Sequence, residues 1–125
     1  MPLTTPTIKV NAVKKLGSKV LLYGDTYDEA YSYAIKYAKK NNYNFVHPYD
    51  DLDVIAGQGT IGIELISQLD NHPDYVFIPV GGGGLLAGMS VYLKSINPKI
   101  KIVAVEAEDS ACFQLAYQNG KPLAL

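Results

Sequence analysis

Apolar positions follow two rhythms along the chain, and the two alternate. Lys19 to Tyr23 ("KVLLY"), Tyr75 to Val80 and Ile100 to Val105 are continuous apolar runs of strand length, and Phe45 with Val46 begins a shorter one. Between these runs apolar residues recur at helical spacing. Ile8, Ala12, Val13 and Leu16 form one face of a first helix, with Thr5 as N-cap, Pro6 at the first helical position and Gly17 as its stop. Ala30, Ala34 and Ala38, flanked by Tyr31 and Ile35, form the stripe of a second, from about Tyr27 to Asn41. Asp28 and Glu29 in its first turn and Lys36, Lys39 and Lys40 in its last complement the helix dipole.

Ile61, Gly62, Leu65, Ile66 and Leu69 predict a third helix after Gly57-Gln58-Gly59-Thr60, ended by Asn71-His72-Pro73-Asp74. Leu85, Leu86, Met89, Tyr92, Leu93 and Ile96 predict a fourth, running to Asn97-Pro98. A fifth starts at Asp109 or Ser110 and ends at Asn119, with Gly120 at C′ and Pro122 beyond. Alternating helix and strand predicts an α/β fold with parallel sheet, its strands apolar on both faces as strands covered by helices are. Pro48 and the aspartates Asp50, Asp51 and Asp53 interrupt the pattern, and the expected division is residues 1–49 and residues 50–125.

The junction of the Tyr75–Val80 strand with the fourth helix consists of glycine alone, Gly81-Gly82-Gly83-Gly84. Each glycine costs roughly 0.5 to 1 kcal/mol relative to alanine in regular structure, and a tight turn needs only one or two. A glycine run also lets a ligand reach backbone amides, and the helix that follows adds unsatisfied N–H groups and partial positive charge. In open α/β sheets ligands sit beyond the carboxyl ends of the strands, where these glycines lie. The expectation is a phosphate cradle.

Two windows also match the dinucleotide fingerprint. Gly57-Gln58-Gly59-Thr60-Ile61-Gly62 fits G-x-G-x-x-G but follows no convincing strand, so the match reads as accidental. Gly82, Gly84 and Ala87 fit G-x-G-x-x-A in a proper strand-to-helix setting, with Glu106 at the end of the next strand as the ribose-binding acid. A small nucleotide-binding domain is therefore the alternative.

Composition narrows the field. The 125 residues are 48% hydrophobic, which supports a real core. A net charge of -1 leaves no basic stripe for nucleic acid and no cationic amphipathic face for a membrane. No window has the about 20 apolar residues that span a bilayer, and the first residues lack the charged and apolar regions expected of a signal peptide. One cysteine, Cys112, excludes an internal disulfide framework and fits a cytosolic location. All the strongly basic side chains are lysines, so anion binding falls to lysine or to backbone amides.

"TTPTIKVNAVKKLG", "VHPYDDLDVIAGQGTIGIEL", "VGGGGLLAG" and "IVAVEAEDSAC", in this order, resemble the pyridoxal-phosphate-dependent threonine dehydratases, and the similarity extends from Thr4 to Pro122. More widely, they are similar to the serine and threonine dehydratase family with the tryptophan synthase β-like fold. The resemblance implies pyridoxal 5'-phosphate as cofactor, its phosphate held by Gly81, Gly82, Gly83, Gly84 and Leu85. It implies a reaction in which threonine (or serine) loses its α-proton and β-hydroxyl, threonine ending as 2-oxobutanoate and ammonia, the step that feeds isoleucine biosynthesis. It places Tyr49 in a loop bordering the substrate pocket. The family's serine-x-lysine motif, which carries the Schiff-base lysine, and its "SGNH"-like motif are absent from these 125 residues. The chain therefore looks like a central fragment, expected to keep the phosphate cradle without turning over threonine. A separate chain supplying the catalytic half, or association between copies through open sheet edges, is the partner expected.

Relatives akin to serine racemase hold a divalent cation with an acid matching Glu106 and a second acid where this chain has Cys112. With that ligand lost no metal site is expected, because hard cations want several oxygens. Cys112 reads as a small apolar residue of the last helix. His47, before a proline, reads as structural, and His72 as solvated. The aspartates lack calcium-loop spacing and read as solvating a linker.

Overall fold

The computed structural model describes residues 1–121, and the chain divides into two units, Met1–Phe45 and Val46–Leu125. In the first, α1 (Thr7–Lys15) and α2 (Tyr27–Lys40) are the regular elements. Pro6, expected at the first helical position, is instead the N-cap, its carbonyl accepting from Lys9 and Val10, and Gly17 (φ 80°) closes the helix as expected. The buried residue of α1 is Val10, while Ile8 and Leu16 of the expected face stand 78% and 84% exposed. Lys19–Tyr23 is extended but is not a strand of a sheet: Leu21 and Tyr23 exchange hydrogen bonds with Met1, and Gly24 accepts from Leu3. Phe45 and Val46 form no strand either.

Helix α2 opens on a capping box. Thr26 Oγ1 accepts from the Glu29 amide, and the Glu29 carboxylate accepts from the amides of Thr26 and Asp25. Ala30 and Ala38 of the expected stripe are buried. Tyr23, Tyr33 and Tyr37 stack in series, the first pair at 4.0 Å between ring centroids, and Tyr43 meets Tyr37 at a tilt.

The second unit is a strand–helix–strand core with a helix behind it. Helix α3 (Leu52–Gln68) starts well before Gly57, because Asp51 caps it, its carboxylate accepting from Asp53 and Val54. The aspartates read as linker solvation are thus a helix start, and the Gly57–Gly62 fingerprint lies inside the helix, with no phosphate-binding turn. Strand β1 (Tyr75–Pro79) leads through Gly81–Gly83 into α4 (Gly84–Ile96), which returns to β2 (Lys101–Val105). The strands pair in parallel, Tyr75 opposite Lys101 through Pro79 opposite Val105. A 3-10 turn (Glu108–Ser110) leads to α5 (Cys112–Asn119), closed by Gly120 at φ 65°. Pro122, expected after it, lies outside the described residues.

Val76, Ile78, Met89, Leu93 and Ile100 form the core, with Leu65, Ile66, Leu85, Leu86, Tyr92 and Ile102 packed around it. Among the described residues the sheet is covered on one face only: Val76 and Ile78 are buried, whereas Tyr75 and Phe77, which alternate with them, are 51% and 67% exposed. Alternating burial replaces the two-sided cover expected, as a sheet with helices on one face requires. The described residues contain no helix long and apolar enough to cross a membrane.

Candidate functional site

The glycine run sits at the carboxyl end of the parallel pair. Val80 donates to the Val105 carbonyl at 2.9 Å, the last rung of the ladder, and the chain then turns through four glycines whose surroundings differ. Gly83 is the N-cap of α4 at φ 91°, a left-handed conformation that an L side chain resists. A Cβ on Gly82 would overlap the Tyr49 ring, and one on Gly84 would stand 2.9 Å from the Tyr49 carbonyl oxygen. Gly81 has no such reason: a Cβ there would meet no heavy atom within 4 Å. Packing and turn geometry therefore account for three of the four, and open space lies over the fourth.

The turn itself is polar and positive. Among the described residues no acceptor takes the amides of residues 81–86, and the first bond of α4 runs from Ala87 to the Gly83 carbonyl at 2.9 Å. These amides carry the positive end of the helix dipole, and no acidic residue occupies the first turn of α4 to oppose an anion. The loop fits a dianionic phosphate, with donors from the backbone alone.

The helix is held in place from behind. Gly59 of α3 and Gly88 of α4 meet backbone to backbone, and Gly62 lies under the Tyr92 ring. Two glycines of the apparent nucleotide fingerprint, Gly59 and Gly62, thus serve helix packing, while a Cβ on Gly57 would meet nothing within 4 Å.

Tyr49 comes to the glycine loop, its ring beside Gly82 and its backbone beside Gly84. It is positioned by His47, whose Nδ1 accepts from the amides of Tyr49 (3.3 Å) and Asp50 (2.7 Å) and whose ring meets the Tyr49 ring edge-on at 4.8 Å between centroids. A histidine two residues before an aromatic and three before an aspartate is the local signal for this turn.

Glu106 follows β2 at the same end of the sheet, but its carboxylate is engaged. Oε1 accepts from the Phe113 amide at 2.9 Å and Oε2 from the Gln114 amide at 2.8 Å, so Glu106 caps α5. Both oxygens are thus committed to the next helix, which weighs against a ribose-binding acid. The described residues contain no cluster of His, Cys, Asp and Glu suited to a metal ion, and Cys112 is a half-buried residue of the first turn of α5.

The whole chain, residues 1–125, matches the family model described as pyridoxal-phosphate dependent enzyme. It is 51% identical to the biosynthetic L-threonine dehydratase of Salmonella typhimurium over 125 residues, all of this chain and 24% of that protein. It is 48% identical to the chloroplastic threonine dehydratase 1 of Solanum lycopersicum, again over all of this chain and 21% of the relative. The chain thus spans under a quarter of the length of these relatives. Among solved structures, the processed form of threonine deaminase isoform 2 from Solanum lycopersicum superposes with a TM-score of 0.92 at 46% identity, covering all of this chain and 36% of that one. Maize serine racemase superposes at 0.91 with 28% identity, over 99% of this chain and 37% of that one. The family model extends over every residue of the sequence, and this chain belongs to the pyridoxal-phosphate dependent enzymes.

Proposed function

We propose that residues 46–125 carry the phosphate-binding part of a pyridoxal-phosphate-dependent threonine dehydratase, acting on threonine to give 2-oxobutanoate and ammonia on the way to isoleucine in the cytoplasm. The observation that carries the reading is the Gly81–Leu85 turn: a run of amides without acceptors at the start of α4, with open space at Gly81. The identity of 51% to a biosynthetic threonine dehydratase supports threonine as the substrate. Bound pyridoxal phosphate would supply an electron sink for the carbanion formed at the substrate α-carbon. Gly81, Gly82, Gly83, Gly84 and Leu85 would hold its phosphate, and Tyr49 would border the amino-acid substrate. Residues 50–125 would then belong to the subdomain bearing the phosphate loop and residues 1–49 to a smaller one.

No lysine within residues 1–125 stands in a serine-x-lysine motif, so these residues bind without turning over. The test is an absorbance titration with pyridoxal phosphate and with pyridoxal, together with a 2-oxobutanoate assay on threonine. Saturable binding that needs the phosphate, with no turnover above free cofactor, supports the reading. Equal binding of pyridoxal, or a preference for NAD, overturns it.

A further inference from the structure

The turn that carries Tyr49 to the glycine loop is held by one side chain. His47 Nδ1 accepts two backbone amides, Asp50 at 2.7 Å and Tyr49 at 3.3 Å, closing the turn between Val46 and α3 around its own ring. To accept, this nitrogen must present a lone pair, which leaves Nε2 as the ring's donor. The ring also meets Tyr49 edge-on at 4.8 Å. Tyr49 is then seated twice on the loop, ring against Gly82 and carbonyl against Gly84.

The Tyr49 hydroxyl makes no hydrogen bond among the described residues, and the residue is 38% exposed. Its ring therefore acts by shape. A run of glycines has no conformation of its own, since each visits both signs of φ, and four amides aimed at one anion need an outside support. Tyr49 supplies that support at Gly82 and Gly84.

We infer that His47 is a positioning residue of the anion site: its Nδ1 locks the Tyr49 turn, and Tyr49 in turn holds Gly82 and Gly84 in the conformation that aims the loop amides. This rests on the phosphate reading of the loop for its consequence and on geometry alone for its cause, so the two are read separately. The cause is read as nuclear Overhauser contacts between the Tyr49 ring and the Gly82 and Gly84 protons. The consequence is read as the affinity for sulfate, a phosphate-shaped dianion that does not titrate near neutrality, from the amide shifts of residues 81–85 at pH 8.

Asparagine places a side-chain acceptor near the position of Nδ1, and leucine places none. His47→Asn should keep the ring contacts and the sulfate affinity within about twofold. His47→Leu should lose the contacts and weaken sulfate by about tenfold, roughly 1.4 kcal/mol. Tyr49→Phe should behave as wild type and Tyr49→Ala as His47→Leu, which keeps the test decisive if the leucine variant does not fold. Ring contacts that persist in His47→Leu, or a Tyr49→Ala variant with unchanged sulfate affinity, overturn the inference. Ring contacts that follow these variants in a wild-type chain blind to sulfate sustain the role of His47 and refute the phosphate reading instead.

Discussion

Gly59 and Gly88 touch through their backbones: a Cβ on Gly59 would stand 3.1 Å from the Gly88 carbonyl oxygen, and one on Gly88 would stand 2.7 Å from the Gly59 amide nitrogen and overlap the Ile55 carbonyl. This crossing fixes α4 against α3 and so fixes where the N-terminus of α4 points.

Adding a methyl group at the crossing tests that role. Gly88→Ala meets the α3 backbone at two residues, Ile55 and Gly59, and should cost about 1 to 3 kcal/mol, as overpacked sites do. Gly59→Ala meets a single carbonyl at the edge of tolerance and should cost less. Denaturant midpoints of the two variants rank them, and a Gly88→Ala variant as stable as wild type would refute the crossing.

Glu106 is placed as a helix cap, and its removal should behave accordingly. Glu106→Ala leaves the Phe113 and Gln114 amides without their partner and should destabilise by about 0.5 to 2 kcal/mol, the usual range for a lost cap. Amide exchange in Cys112–Asn119 should rise while the sheet stays protected. An effect confined to nucleotide affinity, with α5 unchanged, would restore the alternative reading of Glu106 as a ribose-binding acid.

In the first unit, Glu29 offers a pH-dependent contribution. The backbone amide of Asp25 foremost, then that of Thr26, holds its carboxyl below the ordinary carboxylate range. Because the folded value is depressed, the stability it adds is fully present above the unfolded carboxyl value and disappears as pH falls through the lowered one. Wild type should therefore outlast Glu29→Gln in thermal melting at neutral pH, and the gap should close in acid. A gap that is constant across that window would show that the capping box works without the charge.

Gly81 separates binding from folding. A Cβ there meets nothing within 4 Å and Gly81 is not among the left-handed glycines, so Gly81→Ala should melt with wild type. It should nonetheless weaken pyridoxal phosphate about tenfold or more, because the methyl group occupies the open side of the loop. Gly83→Ala is the contrast, since its φ of 91° strains any side chain and should cost stability first.

Much of this was legible in the chain itself, and the gaps have physical causes. The turn between β1 and α4 could be read because the apolar period changes there across glycine alone, and the parallel pairing follows from the helix between the two strands. The start of α3 was hidden because Asp51 and Asp53 look like solvated charges until the apolar run behind them is seen to begin at Leu52. Lys19–Tyr23 has the composition of a strand, but Leu21 and Tyr23 bond Met1 and form no regular sheet. The division of labour within the glycine run could not be foreseen, since the partners of Gly82 and Gly84 come from Tyr49, more than thirty residues earlier. Glu106 was placed correctly in sequence, yet its cap on α5 depends on a bend after β2 that no local pattern announces.

The central claim is that the Gly81–Leu85 amides bind the phosphate of pyridoxal phosphate, and amide proton–nitrogen correlation spectra during a titration test it most directly. The account predicts saturable shifts largest at Gly81 through Leu85, reproduced by inorganic phosphate at higher concentration and absent with pyridoxal. Shifts centred elsewhere, or a glycine loop unmoved at saturating cofactor, would contradict it.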